Sequence, residues 1–219
     1  MKDIRTIKGA IFDCDGTLLD SMEMWSGVET RYLISLGGTP RPGLSEDLRM
    51  LGGTEVPRYF QTEYRITLSI SDMKAGLNAM MEDFYFTKVP LKDGVASALK
   101  TLFERGFKMC VATATDRYLV EAALQRCGVL GYFGRVFSCG DGEKGKRSPE
   151  IYLHAADFLG TNPGETLVIE DALYAMSTAK KAGFPVAAVY DPSSDDQQHE
   201  IRELCDYYLT TIDEMLKFL

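Results

Sequence analysis

Five short runs of consecutive apolar residues punctuate this chain, at 9–12, 107–112, 135–138, 166–169 and 185–190. Their hydrophobicity is continuous rather than alternating, the pattern of strands covered on both faces, as in a parallel sheet. Helical periodicity fills the intervals. Val95, Leu99, Leu102 and Phe103 form one stripe, closed by Gly106. Asp116 stands as N-cap of a second, whose stripe of Leu119, Val120, Ala123, Leu124 and Cys127 ends at Gly128. Ser148, Pro149 and Glu150 open a third, with Ile151, Ala155, Phe158 and Leu159 on one face and Gly160 after it. Thr211 with Glu214 reads as a capping box for a last helix. Such residues start helices by satisfying free N–H groups and stop them by adopting left-handed backbone. Strand–helix alternation of this kind predicts an α/β fold with a doubly wound parallel sheet.

The stretch between the first two runs breaks that rhythm. It carries a helical stripe (Met22, Trp25, Val28, Tyr32) and stops at Gly37-Gly38 and Gly52-Gly53, with no parallel-strand run. The expected organisation is a catalytic core of residues 1–19 and 89–219, interrupted after the first strand by a helical insertion, residues 20–88. The Met- and aromatic-rich segment 80–86 reads as packing within that insertion rather than as a partner surface.

In open parallel sheets ligands bind beyond the carboxyl ends of the strands, so the residues just after each run deserve inspection. The first run ends in Asp13-Cys14-Asp15-Gly16-Thr17, the second in Thr113-Ala114-Thr115-Asp116 and the fourth in Glu170-Asp171. The loop after the third carries Lys144 and Lys146. Taken singly, these are ordinary caps or solvated charges. Together, Asp13, Asp15, Glu170 and Asp171 would repel one another without a cation, and clustered oxygen ligands suit Mg²⁺.

Composition narrows the partners. Of the 219 residues 45% are hydrophobic and 26% charged, enough for a sizeable core. The formal net charge of -8 argues against a nucleic-acid or anionic-membrane partner, and a phosphorylated substrate then needs local positive charge. The five cysteines lack paired metal-type spacing, with Cys14, Cys110 and Cys139 read as small buried hydrophobes, and the two histidines lie far apart. With no apolar signal region and no long apolar span, the chain is expected to be a reduced, cytoplasmic protein, with a monomer plausible.

The run from Asp13 to Ser21 resembles the first motif of the haloacid dehalogenase-like hydrolase superfamily, in the branch with a helical cap inserted after that motif. Phosphoglycolate phosphatases and β-phosphoglucomutase-like proteins are similar in this respect. Thr113 matches the hydroxyl of the second motif, Lys146 the third-motif lysine, and Glu170-Asp171 the acids of the fourth. The resemblance implies a Rossmann-like core with a cap. It also implies an Mg²⁺-dependent phosphatase that hydrolyses small phosphate monoesters, sugar phosphates or phosphoglycolate-like molecules, through an aspartyl-phosphate. Asp13 would be nucleophile and metal ligand, and Asp15 general acid then base, with its backbone carbonyl a further ligand. Thr113, with the adjacent Ala114, and Lys146 would hold the phosphoryl oxygens. Asp171 would bind the metal, with Glu170 bound directly or through water. The chain departs from the family pattern at Arg147, where Pro is usual, which keeps Lys144 as an alternative to Lys146. It departs again at Ala172, where Ser is frequent.

Three other readings touch parts of the same sequence. The segment 140–147 nearly matches a nucleotide-binding P-loop, but Arg147 replaces the metal-holding hydroxyl, and Asp141 and Glu143 would face a polyphosphate. A phosphoacceptor signalling module resembles half this length and places its aspartate after a middle strand. The alternative within the family is a β-phosphoglucomutase-like mutase. Such enzymes carry a cap His where this chain has Trp25, and a cap-loop Arg where it reads Gly52-Gly53-Thr54-Glu55.

Overall fold

The computed structural model describes residues 6–49, 51, 55–139 and 145–219. Strands β1 (Gly9–Phe12), β2 (Lys108–Thr113), β3 (Val136–Ser138), β4 (Thr166–Glu170), β5 (Val186–Val189) and β6 (Tyr207–Leu209) form one sheet in the order β3-β2-β1-β4-β5-β6. Every pairing is parallel. The first five are the strands expected from the apolar runs. β6 escaped the sequence pattern because it has three residues, two of them half-buried tyrosines at the sheet edge.

Between β1 and β2 the described residues contain helices and no named strand. They are α1 (Met22–Trp25), α2 (Val28–Ser35), α3 (Leu44–Arg49), α4 (Glu55–Glu63), the 18-residue α5 (Ile70–Thr87) and α6 (Val95–Glu104). The stripe from Met22 to Tyr32 is not one helix, because Gly27 at φ 77° breaks it between α1 and α2. Tyr32, Leu33, Leu44, Leu48, Val56, Phe60 and Met73 make a small core of their own. Val28, Met81 and Tyr85 instead join the large cluster against the sheet, so the buried residues of segment 80–86 pack onto the core rather than within the insertion as expected, while Met80 and Phe86 stay exposed.

The remaining helices, α7 (Arg117–Arg126), α8 (Glu150–Leu159), α9 (Leu173–Lys181) and α10 (Gln198–Leu204), complete the two layers. Alternation along β1 divides the core. Ala10 and Phe12 face Leu99, Leu119 and Leu124 of α6 and α7, whereas Ile11 faces Ile151, Tyr152 and Met176 of α8 and α9. Two stripe residues fall outside the core. Phe103 and Phe158 are 53% and 46% exposed and lie against Tyr132 and Phe137 at the margins. Cys139 is half-buried rather than buried, and all five cysteines are free thiols.

Two expected caps are replaced by other contacts. Asp116 is N-cap of α7 by position but makes no capping bond. Its carboxylate instead accepts from Lys74 Nζ at 3.0 Å and from Asn78 Nδ2, both on α5. The chain end is a 3-10 helix, Ile212–Lys217, without a side-chain cap from Thr211. Glu214 Oε2 reaches one residue further back, to the Thr210 N–H at 2.7 Å. Among the described residues no helix is long and apolar enough to cross a membrane.

Candidate active site

Register brings the strand ends together. Phe12 lies level with Val111 of β2 and Ile169 of β4, and the Asp13 N–H donates to the Ile169 carbonyl at 2.9 Å. Residues following β1 therefore emerge between the ends of its neighbours, where the strand order reverses direction. The loop then turns at Gly16, φ +83°, where a Cβ would sit 2.5 Å from Asp171 Oδ2. Only glycine permits both that backbone and that approach. Lys92 holds the turn from behind. Its ammonium donates to the Gly16 carbonyl at 2.7 Å, the Tyr190 carbonyl at 2.9 Å and Asp191 Oδ2 at 2.6 Å. The Lys92 side chain is 16% exposed, and an ammonium partly withdrawn from water in this way needs such partners to offset its lost solvation.

Asp13, Glu170 and Asp171 are all buried, and their carboxylate oxygens lie within 4.8 Å of one another. Lys146, 4% exposed, inserts its ammonium among them, donating to Asp13 Oδ1 and, at 2.6 Å, to Glu170 Oε1. Glu170 is oriented further by the Tyr152 hydroxyl at 3.2 Å and by the backbone N–H groups of Asp171 and Ala172. Asp171 has the Thr17 hydroxyl at 3.3 Å. Burial pushes the Asp13 carboxyl up to about 7, against the pull of Lys146. It raises Asp171 well above the usual range too, with the charges of Asp13 and Glu170 adding to the effect. For Lys146 burial alone would lower the ammonium, but Asp13 and Glu170 outweigh it and raise the group well above its ordinary value. Three buried carboxylates around one ammonium leave an excess of negative charge, and all-oxygen donors fit a hard divalent cation.

The Asp15 side chain is not part of that cluster. Its Oδ1 accepts from Ser21 Oγ at 2.7 Å and from the Tyr85 hydroxyl at 2.5 Å, and its Oδ2 from Thr115 Oγ1 at 2.7 Å. Thr113, buried at the end of β2, accepts the Thr115 N–H on its Oγ1 at 3.1 Å. Asp13, Asp15, Thr113, Ala114, Thr115, Lys146, Glu170 and Asp171 line one cleft of about 1620 Å³ together with Met22, Trp25, Leu77 and Met81.

The structure thus gathers Asp13, Lys146, Glu170 and Asp171 in contact, with Asp15, Thr113 and Ala114 beside them. Lys144 and the Gly52-Gly53-Thr54 segment lie outside the described residues. Sequence reading passed over Ser21 and Thr115 although both stand inside quoted motifs. It read Trp25 as packing and gave no role to Tyr85, Tyr152 or the Lys92–Asp191 pair. Apart from Ser21, six residues from Asp15, and Tyr152, eighteen from Glu170, these contacts join positions 60 or more residues apart, and no local spacing announces them.

A sequence model of the family described as haloacid dehalogenase-like hydrolase matches residues 7–183. Hexitol phosphatase B of Escherichia coli (strain K12) is 25% identical over 217 residues, covering 98% of this chain and 97% of that protein. (DL)-glycerol-3-phosphatase 2 of Arabidopsis thaliana is 28% identical over 208 residues, covering 90% of this chain and 85% of that protein. Among solved structures, CbbY from Rhodobacter sphaeroides in complex with phosphate superposes with a TM-score of 0.81 at 23% identity, over 95% of this chain and 96% of that one.

Proposed function

The chain belongs to the haloacid dehalogenase-like hydrolases and is a phosphoric monoester hydrolase; from that premise we propose an Mg²⁺-dependent phosphatase working through an aspartyl-phosphate on Asp13. The observation that carries this reading is the Lys146 ammonium seated between Asp13 and Glu170, with Asp171 beside them, at the carboxyl edge of the sheet. Small polyol or sugar phosphates are the proposed substrates, supported by relatives named for hexitol and glycerol-3-phosphate, with phosphoglycolate-like esters as further candidates.

Asp13 Oδ attacks phosphorus in line, and the bond to the ester oxygen breaks. Asp15 delivers its proton to that leaving oxygen. Water then attacks the phosphorus of the aspartyl-phosphate, Asp15 takes its proton, and inorganic phosphate departs with the Asp13 carboxylate restored. Lys146 and Thr113, with Ala114 beside it, hold the phosphoryl oxygens, so that charge on the equatorial oxygens is cancelled as it redistributes. Asp13, the Asp15 backbone carbonyl, Glu170 and Asp171 would hold Mg²⁺, which when bound neutralises phosphoryl charge and relieves the carboxylate repulsion. The helices of segment 20–88 act as a cap that excludes water and contacts the leaving group. Trp25 argues for hydrolysis over a mutase reaction. Its indole is engaged by Tyr85 at 2.8 Å and offers no base or cation for a second phosphate.

The test is release of inorganic phosphate from a panel of glycerol, hexitol, sugar and glycolate phosphates. Turnover is expected to require Mg²⁺ and to vanish in Asp13→Asn, which keeps the shape but removes the nucleophile. Undiminished turnover in chelated buffer, or activity of Asp13→Asn above about a hundredth of the parent, well inside the range a lost catalytic group spans, would overturn the mechanism.

A further inference from the structure

Asp15 is the proton carrier of the reaction proposed above, and donors from two separate parts of the chain surround its carboxylate. Thr115 comes from the loop after β2, whereas Ser21, at the N-cap of α1, and Tyr85, in the last turn of α5, come from the helical segment between β1 and β2. Tyr85 is fully buried, and its hydroxyl has a single hydrogen to give. Trp25 Nε1, which can only donate, meets the same hydroxyl oxygen at 2.8 Å. The tyrosine oxygen therefore accepts from the indole, and its own proton is committed to Asp15 Oδ1. A carboxylate offers about two lone-pair sites on each oxygen. Oδ1 is filled by Ser21 and Tyr85, while Oδ2 receives Thr115 alone among the described contacts.

We infer that Tyr85, aimed by Trp25, is a positioning residue for acid catalysis: by occupying Oδ1 it assigns Oδ2 as the oxygen that carries the proton to the leaving group. The inference rests on Asp15 acting as the general acid. Without the Tyr85 hydroxyl, Oδ1 becomes an equal seat for the proton, directed at the helices instead of the leaving oxygen. Small misplacements of a transferring group cost up to about 10²-fold in rate. The consequence differs between substrates. An alkoxide leaves only if it is protonated, whereas a nitrophenolate leaves readily without a proton. Because kcat/KM reports events up to the first irreversible step, it isolates the acid role from the later base role, which all substrates share.

The experiment compares kcat/KM for p-nitrophenyl phosphate with that for the alkyl monoester turned over fastest, using the full chain with Mg²⁺. Tyr85→Phe, which keeps the ring in place, is expected to lower the alkyl value by about tenfold or more and the aryl value by less than about threefold. Trp25→Phe should give a smaller split in the same direction. Equal losses on both substrates would mark Tyr85 as packing alone and overturn the inference, as would no loss on either. Asp15→Asn is run alongside. If it shows no alkyl–aryl split, the acid role in the proposed function fails; if it shows one that Tyr85→Phe lacks, only the role of Tyr85 fails.

Discussion

Lys146 brings to the site the positive charge that a net charge of -8 denies the surface as a whole. Its neighbour Asp13 has a consequence for pH. Because burial pushes that carboxyl from 3.8 to about 7, the native state keeps its proton over a range in which the unfolded chain has lost it. The contribution to stability is therefore greatest below the unfolded value and declines as pH rises from about 4 to 7. In metal-free protein, Asp13→Asn is expected to flatten the fall in melting temperature across that window, because Asn cannot titrate. A parallel fall in variant and parent would assign the dependence to other groups. The motif residues were legible because their chemistry lies in consecutive letters after apolar runs. Tyr85 was not, since only folding carries it to Asp15, from which it is separated by most of the helical segment.

At the scale of elements, α5 reaches the core through Asp116, which gives its carboxylate to Lys74 and Asn78 instead of capping α7. The Lys74–Asp116 pair is partly solvated, 38% and 17% exposed, so its stabilisation is at most about 1 kcal/mol. With the Asn78 hydrogen bond lost as well, adding about 1 kcal/mol, Asp116→Ala should lower the melting temperature by no more than about 8 °C. Its larger effect is predicted on KM, which should rise severalfold as α5 loses a tether beside the cleft. An unchanged KM would make the contact structural only. Asp116→Ser should not restore KM, although serine is a good cap, because its side chain is too short to reach both partners. Apolar runs located β1 to β5 because buried parallel strands leave a continuous signal. They could not reveal β6, or whether a cap residue caps, since the competing partners sit on other elements.

For the molecule as a whole, the helical segment carries two kinds of packing. One cluster, including Leu33, Phe60 and Met73, is internal to it, whereas Val28, Met81 and Tyr85 are packed into the sheet-facing core. Excising residues 20–88 and closing the gap with a short linker is expected to leave a folded but less stable core, because that shared apolar surface becomes exposed. Discrimination among phosphate esters should be lost in the excised protein. An excised core that selects substrates as the full chain does would give these helices another task.

The amino-acid sequence by itself determined the class of fold, five of the six strands and the residues of the acidic and lysine cluster. It could do so because continuous hydrophobicity and short polar motifs are local properties of a chain. Tertiary structure alone decided which of those side chains touch. It set Lys146 between Asp13 and Glu170, turned Asp15 away from the acidic cluster, and placed the Trp25–Tyr85 pair behind it. The physical reason is that hydrogen-bond partners are chosen by distance and direction in space. Parallel register and helix packing fix those quantities among positions that sequence separation keeps apart.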